Sequence, residues 1–337
     1  MSVLSDLGVD LPVIAAPMAG GASTSDLVLA AAGAGSIGFV AAGYKTAATL
    51  QQQIDAVRSA PFGVNVFAPN PVPVDRVAFR NFADALRPEA ERYGLELGAE
   101  PIENDDEWAA KLDVLFSAQV PLVSFTFGVP SPAVIARLRS AGTVVAQTVT
   151  SADEARLAAD AGVDLLVVQA SAAGAHSGTL TPQHLPPSTP LVDLLAQVAD
   201  AVSLPLIAAG GLATPDEVAA ALGRGATAAM VGTVLLRSDE SGASATHKAA
   251  LADPGRTSTV VTRAFTGRPA RGLRTSFIDH YDPIAPSGYP ALHYLTSPLR
   301  SAASAAGDAE RVHLWAGTGW RHASEEPAAE ILSRLAG

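Results

Sequence analysis

Eight short apolar runs punctuate the chain, at residues 13–18, 38–42, 62–67, 122–127, 143–149, 164–170, 205–210 and 226–232. Nearly all are continuous instead of alternating with polar residues, as expected of strands buried on both faces of a parallel sheet. Between many of them apolar positions recur at helical spacing, over 50–58, 133–141, 152–161, 192–202 and 215–222. Two of these helices carry start signals. Ser151 with Glu154, and Thr214 with Glu217 and with Pro215 at the first helical position, fit a reciprocal cap in which side chains satisfy the free main-chain N–H groups. Strands alternating with helices predict an α/β fold, a (β/α)8 TIM-type barrel whose chemistry belongs at the carboxyl ends of the strands. Two segments break the rhythm: 68–121 between the third and fourth strands, and 235–337 after the eighth. Residues 1–234 are therefore expected to form the barrel, with an insertion at about 68–121. The Gly-, Pro-, Arg- and Tyr-rich stretch 235–337 is expected to fold back as a small second subdomain, or lid.

Residues 27–44 carry no charge, which raises the question of a membrane helix. Their Ala and Gly content, with Gly33, Gly35 and Gly38 inside, points instead to a buried helix, a turn and a buried strand. The stretch "GAGSIG" at 33–38 spells a dinucleotide fingerprint but follows a helical pattern and leads into a strand, the reverse of the order that motif needs. A tight helix-to-strand turn accounts for it.

Composition narrows the function. Hydrophobic residues make up 48% and charged residues 16%, enough for a large core and too apolar for disorder. Acidic residues outnumber basic ones by 33 to 22 and the only lysines are Lys45, Lys111 and Lys248, which argues against nucleic acid as a partner. No cysteine is present, so disulfides, thiolate metal sites and cysteine nucleophiles are excluded together. The first basic residue is Lys45, so the positive region of a secretory signal is missing and a cytoplasmic location is expected, with no membrane partner. The serine-hydrolase elbow, the P-loop, HExxH and the EF-hand loop are all lacking. His176 and His184, eight apart, make a poor metal pair, and no metal is expected.

The strand ends hold the candidate chemistry. "APMAGG" at 16–21 is small enough for a flat ligand to approach the backbone. "GVNVF" at 63–67 puts Asn65 among apolar neighbours, where its amide needs partners, either within the core or on a heterocycle's edge. The ends of the seventh and eighth strands supply Gly210, Gly211, Gly232 and the Thr233 hydroxyl, a set suited to holding a phosphate by main-chain N–H groups without lysine.

These blocks, together with "VVQASAAGAHSGT" at 167–179, "TRAFTGRPARGL" at 262–273 and "LWAG" at 314–317, run in order through nearly the whole chain. In them the chain resembles the nitronate monooxygenase family, formerly 2-nitropropane dioxygenases, which are FMN-dependent barrels. The resemblance implies FMN across the barrel mouth, with Pro17, Met18 and Ala19 along one side of the ring. Asn65, Gln169 and Gly174 would contact the ring and its side chain, while Gly211, Met230, Val231, Gly232 and Thr233 would hold the ribityl phosphate. His176 takes the position of the family's catalytic base, and an imidazole titrating near neutrality suits removal of a proton from carbon bearing a nitro group. The loop departs from the family's usual Glu-Ala-Gly-Gly-His followed by a basic residue: Ala172 stands where the Glu would be, Ala175 replaces a Gly, and Ser177 follows the histidine.

The implied activity is oxidative denitrification of an alkyl nitronate with O2 to a carbonyl compound and nitrite. The alternatives are an FMN-dependent NAD(P)H:quinone or enoyl-thioester reductase on the same barrel, and a barrel that binds a phosphate ligand without catalysis. Tyr289, His293 and Tyr294 are weaker candidates for capping the substrate pocket. Arg263, Arg268, Arg271 and Arg274 are read chiefly as fastening the tail to acidic barrel surface. The oligomeric state stays open.

Overall fold

The computed structural model describes residues 3–337. Its strands are β1 (Val13–Ala15), β2 (Gly38–Ala41), β3 (Phe62–Ala68), β4 (Leu122–Phe127), β5 (Val144–Val149), β6 (Leu165–Gln169), β7 (Ala175–His176), β8 (Leu206–Ala209), β9 (Ala228–Val231), β10 (Thr259–Thr262) and β11 (Ala270–Leu273). All but β7, β10 and β11 form one closed parallel barrel, sealed where β9 lies beside β1 with Ile14 opposite Met230. Each of the eight apolar runs holds one barrel strand, β3 extending one residue past its run to Ala68. Alternation within a run sorts its two faces: Leu165 and Val167 of β6 join Ile14, Phe39, Leu122 and Ile207 in one cluster, while Leu166 and Val168 pack in the larger cluster that includes the surrounding helices. Both faces are buried, so the runs read as continuous. Gly63 is needed inside, because a Cβ there would stand 2.4 Å from the Phe39 ring.

The uncharged stretch 27–44 resolves as expected into the helix Ser25–Gly33, a turn at Gly35 with φ +79°, and β2. Among the described residues no helix is long and apolar enough to cross a membrane. Thr214 and Glu217 form the full reciprocal cap. Ser151 and Glu154 form only half of it. The Ser151 hydroxyl accepts from the Glu154 N–H, but the Glu154 carboxylate turns to the N–H and hydroxyl of Thr150 and to the hydroxyl of Thr179 and the N–H of Leu180. It ties a functional loop instead of closing its own helix.

Trp108–Ala118, within the stretch that broke the repeat, packs beside the helix Ala47–Val57 as the barrel's third helix. At the other end of the chain, Ala328–Ala336 packs on β1 and on the helices Ser25–Gly33 and Pro215–Gly223, and so fills the place of the eighth. The rest of the insertion and of the tail share a second apolar core: Phe79, Phe82 and Leu86 meet Phe265, Phe277, Leu292 and Leu299. β7, β10 and β11 form a small antiparallel sheet that joins the loop after β6 to the tail.

Candidate active site

A cavity of about 800 Å³ opens at the carboxyl ends of the barrel strands, beneath the tail. Every candidate for cofactor contact lines it: Pro17, Met18 and Ala19 after β1, Asn65 in β3, Gln169 at the end of β6 and Gly174 after it, Gly210 and Gly211 after β8, and Met230 to Thr233 around the end of β9. His176 and His293 line it too. Tyr289 is buried against the rings of Phe127 and His176, and its hydroxyl donates to Tyr44. Tyr294 turns away from the cavity, and its hydroxyl donates to Asn104.

The loop carrying His176 is held from several sides. β7 pairs antiparallel with β11, placing His176 opposite Ala270. The Gln169 amide spans the loop, accepting from the Gly178 N–H (2.7 Å) and donating to the His176 carbonyl (3.3 Å). Gly174 lets the loop abut the tail, since a Cβ there would lie 2.6 Å from the Gly317 nitrogen. Three of the four arginines clamp this loop through main-chain carbonyls: Arg263 to Pro182 and Gln183, Arg268 to Ser177 and Thr179, Arg271 to Ser171. Fastening to acidic barrel surface, the sequence expectation, is not how they act. Arg274 pairs within the tail, with Asp279. Guanidinium groups suit carbonyls because their N–H donors form a rigid fork.

The His176 Nε2 lies 2.9 Å from the Thr266 hydroxyl, and its ring stands 5.7 Å from each of the Phe127, Tyr289 and Trp315 rings. Burial, with Arg268 and Arg300 nearby, pushes its pKa down to about 3. The imidazole is therefore neutral at pH 7. Burial likewise depresses His293, which stacks on Tyr44 at 3.9 Å, and brings His247 down to about 4. Among the described residues no aspartate or glutamate lines the cavity, whereas the Arg300 guanidinium does, beside the neutral rings of His176, His247, His293 and His313. In a chain of net charge −11, this one concavity favours anions.

Two parts of the lining carry unused hydrogen-bonding capacity. The Asn65 Nδ2 donates to Ser124 and Thr126, while its Oδ1 has no partner among the described residues. Gly210 and Gly211 have φ of +103° and +81°, and the N–H groups of Gly211, Leu212 and Gly232 make no hydrogen bond among the described residues. Thr233 accepts from the Gly317 N–H at 2.9 Å, which leaves its hydroxyl hydrogen free to donate. A heterocycle's N–H edge at Asn65 and a phosphate at 211–233 both fit these free groups. Among the described residues no cluster of His, Asp or Glu is placed to hold a metal ion.

Tyr44, Thr266, Arg300 and Trp315 also shape the site and were not singled out from sequence. Thr266 and Trp315 lie inside the blocks that carried the resemblance, but nothing local marks either as a neighbour of His176.

The nitronate monooxygenase family model matches residues 2–337. A probable nitronate monooxygenase of Staphylococcus aureus (strain Newman) is 37% identical over 336 residues, covering 98% of this chain and 94% of its own. The structure of nitroalkane oxidase from Streptomyces ansochromogenes is similar with a TM-score of 0.94 at 48% identity, over 99% of this chain and 97% of that one. FabK from Thermotoga maritima is similar with a TM-score of 0.76 at 26% identity, over 99% and 94%. Fold, cavity and relatives define a barrel oxidoreductase. The chain belongs to the nitronate monooxygenase family.

Proposed function

We propose that the protein is an FMN-dependent nitronate monooxygenase, converting alkyl nitronates with O2 to a carbonyl compound and nitrite. The observation that carries this reading is the His176 imidazole on the wall of a cavity whose lining contains one guanidinium, Arg300, and, among the described residues, no acidic side chain. Such a lining attracts an anion the size of a nitronate. Bound FMN would supply one-electron chemistry between the nitronate and O2. The free Asn65 Oδ1 suits an N–H on the ring edge, and Gly211, Leu212, Gly232 and Thr233 suit the phosphate. Pro17, Met18 and Ala19 line the wall beside it.

When a neutral nitroalkane is offered, His176 is the group to take the proton from the carbon. Burial and the two guanidinium groups alone set its pKa at about 3. The nitronate formed at that step places a negative charge beside the imidazolium, which raises the histidine's affinity for the proton as it is transferred. Ala172 and Ser177 leave the loop without the charged groups usual in the family, so His176 has no carboxylate orienter there.

The test is His176→Asn assayed by nitrite release under air. Turnover of preformed nitronate is expected to survive far better than turnover of nitroalkane, and equal losses on both overturn the assignment of His176. Rapid anaerobic bleaching of the flavin by NADPH would replace this function with that of a reductase.

A further inference from the structure

Two buried charges flank the loop that carries His176 without meeting each other. Glu154, in the first turn of the barrel helix Ala152–Ala161, is 5% exposed, and Arg268, in the tail between β10 and β11, is fully buried. Neither makes a direct ion pair among the described residues. Between them lies one peptide group, the one joining Thr179 to Leu180. Its carbonyl accepts from Arg268 Nη2, and its N–H donates to the Glu154 carboxylate at 2.7 Å. Further contacts secure each end. The carboxylate also accepts from the Thr179 hydroxyl (2.8 Å) and from the N–H and hydroxyl of Thr150 (2.6 and 2.8 Å). Arg268 Nε donates to the Ser177 carbonyl (3.3 Å), and the guanidinium covers the Phe127 ring at 3.9 Å.

A peptide group carries a dipole of about 3.5 D, negative at its carbonyl and positive at its N–H. Here the negative end meets the guanidinium and the positive end the carboxylate, so the group relays the attraction between the two charges. Removing one member of a buried pair leaves the other uncompensated, which is strongly destabilising. Glu154 and Arg268 therefore depend on each other although they do not touch. One belongs to the barrel and the other to the tail, so the loop between them is fixed to both. His176 lies three residues before Thr179, and the Phe127 ring beneath Arg268 faces the imidazole at 5.7 Å.

We propose that Glu154 and Arg268 work as a single ion pair bridged by the Thr179–Leu180 peptide group, and that both are positioning residues for His176, acting through the main chain of its loop. The part played by His176 rests on the function proposed above. The pairing itself rests on the geometry alone.

Glu154→Gln, Arg268→Met and the double variant test this in flavin-loaded enzyme, with three readouts. In thermal unfolding each single variant should lose about 5–10 °C, and the double should fall about as far as one single, not by the sum. The second readout needs no turnover: the His176 ring signal in magnetic resonance spectra of protein with isotopically labelled histidine, identified by its loss in His176→Asn. The rings of Phe127, Tyr289 and Trp315 surround that imidazole, so a displaced loop shifts its signal. Glu154→Gln should move it, although Glu154 does not touch the ring, while the signal of exposed His280 stays in place. The third is nitrite release. Either single change should lower kcat/KM for a nitroalkane by about ten- to a hundredfold, the effect of a misplaced base, and for preformed nitronate much less.

If a single variant does not fold, the double variant, which leaves neither charge alone, must fold, and its failure to do so overturns the proposal. So do unfolding losses that add, a His176 signal unmoved in Glu154→Gln, or equal losses on nitroalkane and nitronate. Failure of the wider function looks different. There the wild type releases no nitrite from either substrate, while the unfolding and resonance results still show the two charges acting together on the His176 loop.

Discussion

The Thr266 hydroxyl stands between two partners, the His176 Nε2 at 2.9 Å and the Arg268 carbonyl at 3.2 Å. With the single hydroxyl hydrogen given to the Arg268 carbonyl, which only accepts, Nε2 is the donor of the pair. The lone pair of the neutral ring is then on Nδ1. Thr266 thereby holds the ring proposed as the base, across 90 residues of chain, and in this arrangement sets its tautomer.

Thr266→Val should therefore lower kcat/KM for nitroalkane by about tenfold, the worth of one hydrogen bond that orders a base. Thr266→Ser should restore most of it. Because a preformed nitronate needs no proton removed, its kcat/KM should fall less in Thr266→Val. Steady-state nitrite release with both substrates checks this, and a uniform loss would make Thr266 merely structural.

Ala175 has φ +63°, in the left-handed region where a Cβ is crowded and where the family usually has glycine. Its neighbour His176 fixes the strand pairing with Ala270, so the loop cannot relax the angle away. Ala175→Gly should stabilise the fold by up to about 1 kcal/mol, the strain relieved less the entropy that glycine adds to the unfolded chain. Urea unfolding of the two proteins measures the difference. A destabilised variant would mean that the angle carries no strain.

The barrel was legible because burial on both faces leaves an unbroken signal, as in Leu165–Gln169. Two of its helices were not. Trp108–Ala118 starts after Glu107 in a left-handed conformation, and Ala328–Ala336 after Pro327, neither with a side-chain cap, so no local start signal announces them. Glu154 shows the same limit at one residue. Its spacing from Ser151 predicts a cap, but its carboxylate is drawn to Thr179 and Leu180, a contact between distant residues that no local pattern encodes. Candidate ligand contacts were readable as motifs at strand ends, whereas Thr266 and Arg300 reach the cavity only through the packing of the tail on the barrel.

Thr233 offers a separable test of the phosphate end. Its hydroxyl accepts from Gly317 and keeps one hydrogen to donate. Thr233→Ala removes that donor and should weaken FMN binding by about ten- to a hundredfold, as for one hydrogen bond to a charged group. Equilibrium dialysis followed at the flavin absorption band reads this directly. Retention equal to wild type would place the phosphate elsewhere in the cavity.

Acid should destabilise the protein earlier than its carboxylates alone would bring about. His176, His247, His293 and His313 are all buried with depressed affinity for protons, His176 to about 3 and His247 to about 4. Unfolded, each imidazole titrates near 6.5, so below that pH the unfolded chain binds protons that the native state refuses. The stability these residues contribute is thus fully present above about pH 6.5 and is lost as pH falls toward the native values, at about 1.4 kcal/mol per pH unit for each. Thermal unfolding at pH 8, 6 and 5 should give nearly constant stability above pH 7 and a steep fall below 6. Substituting His247 by Gln, which removes one titrating ring, should make that fall shallower, and an unchanged slope would show that the ring is protonated as readily folded as unfolded.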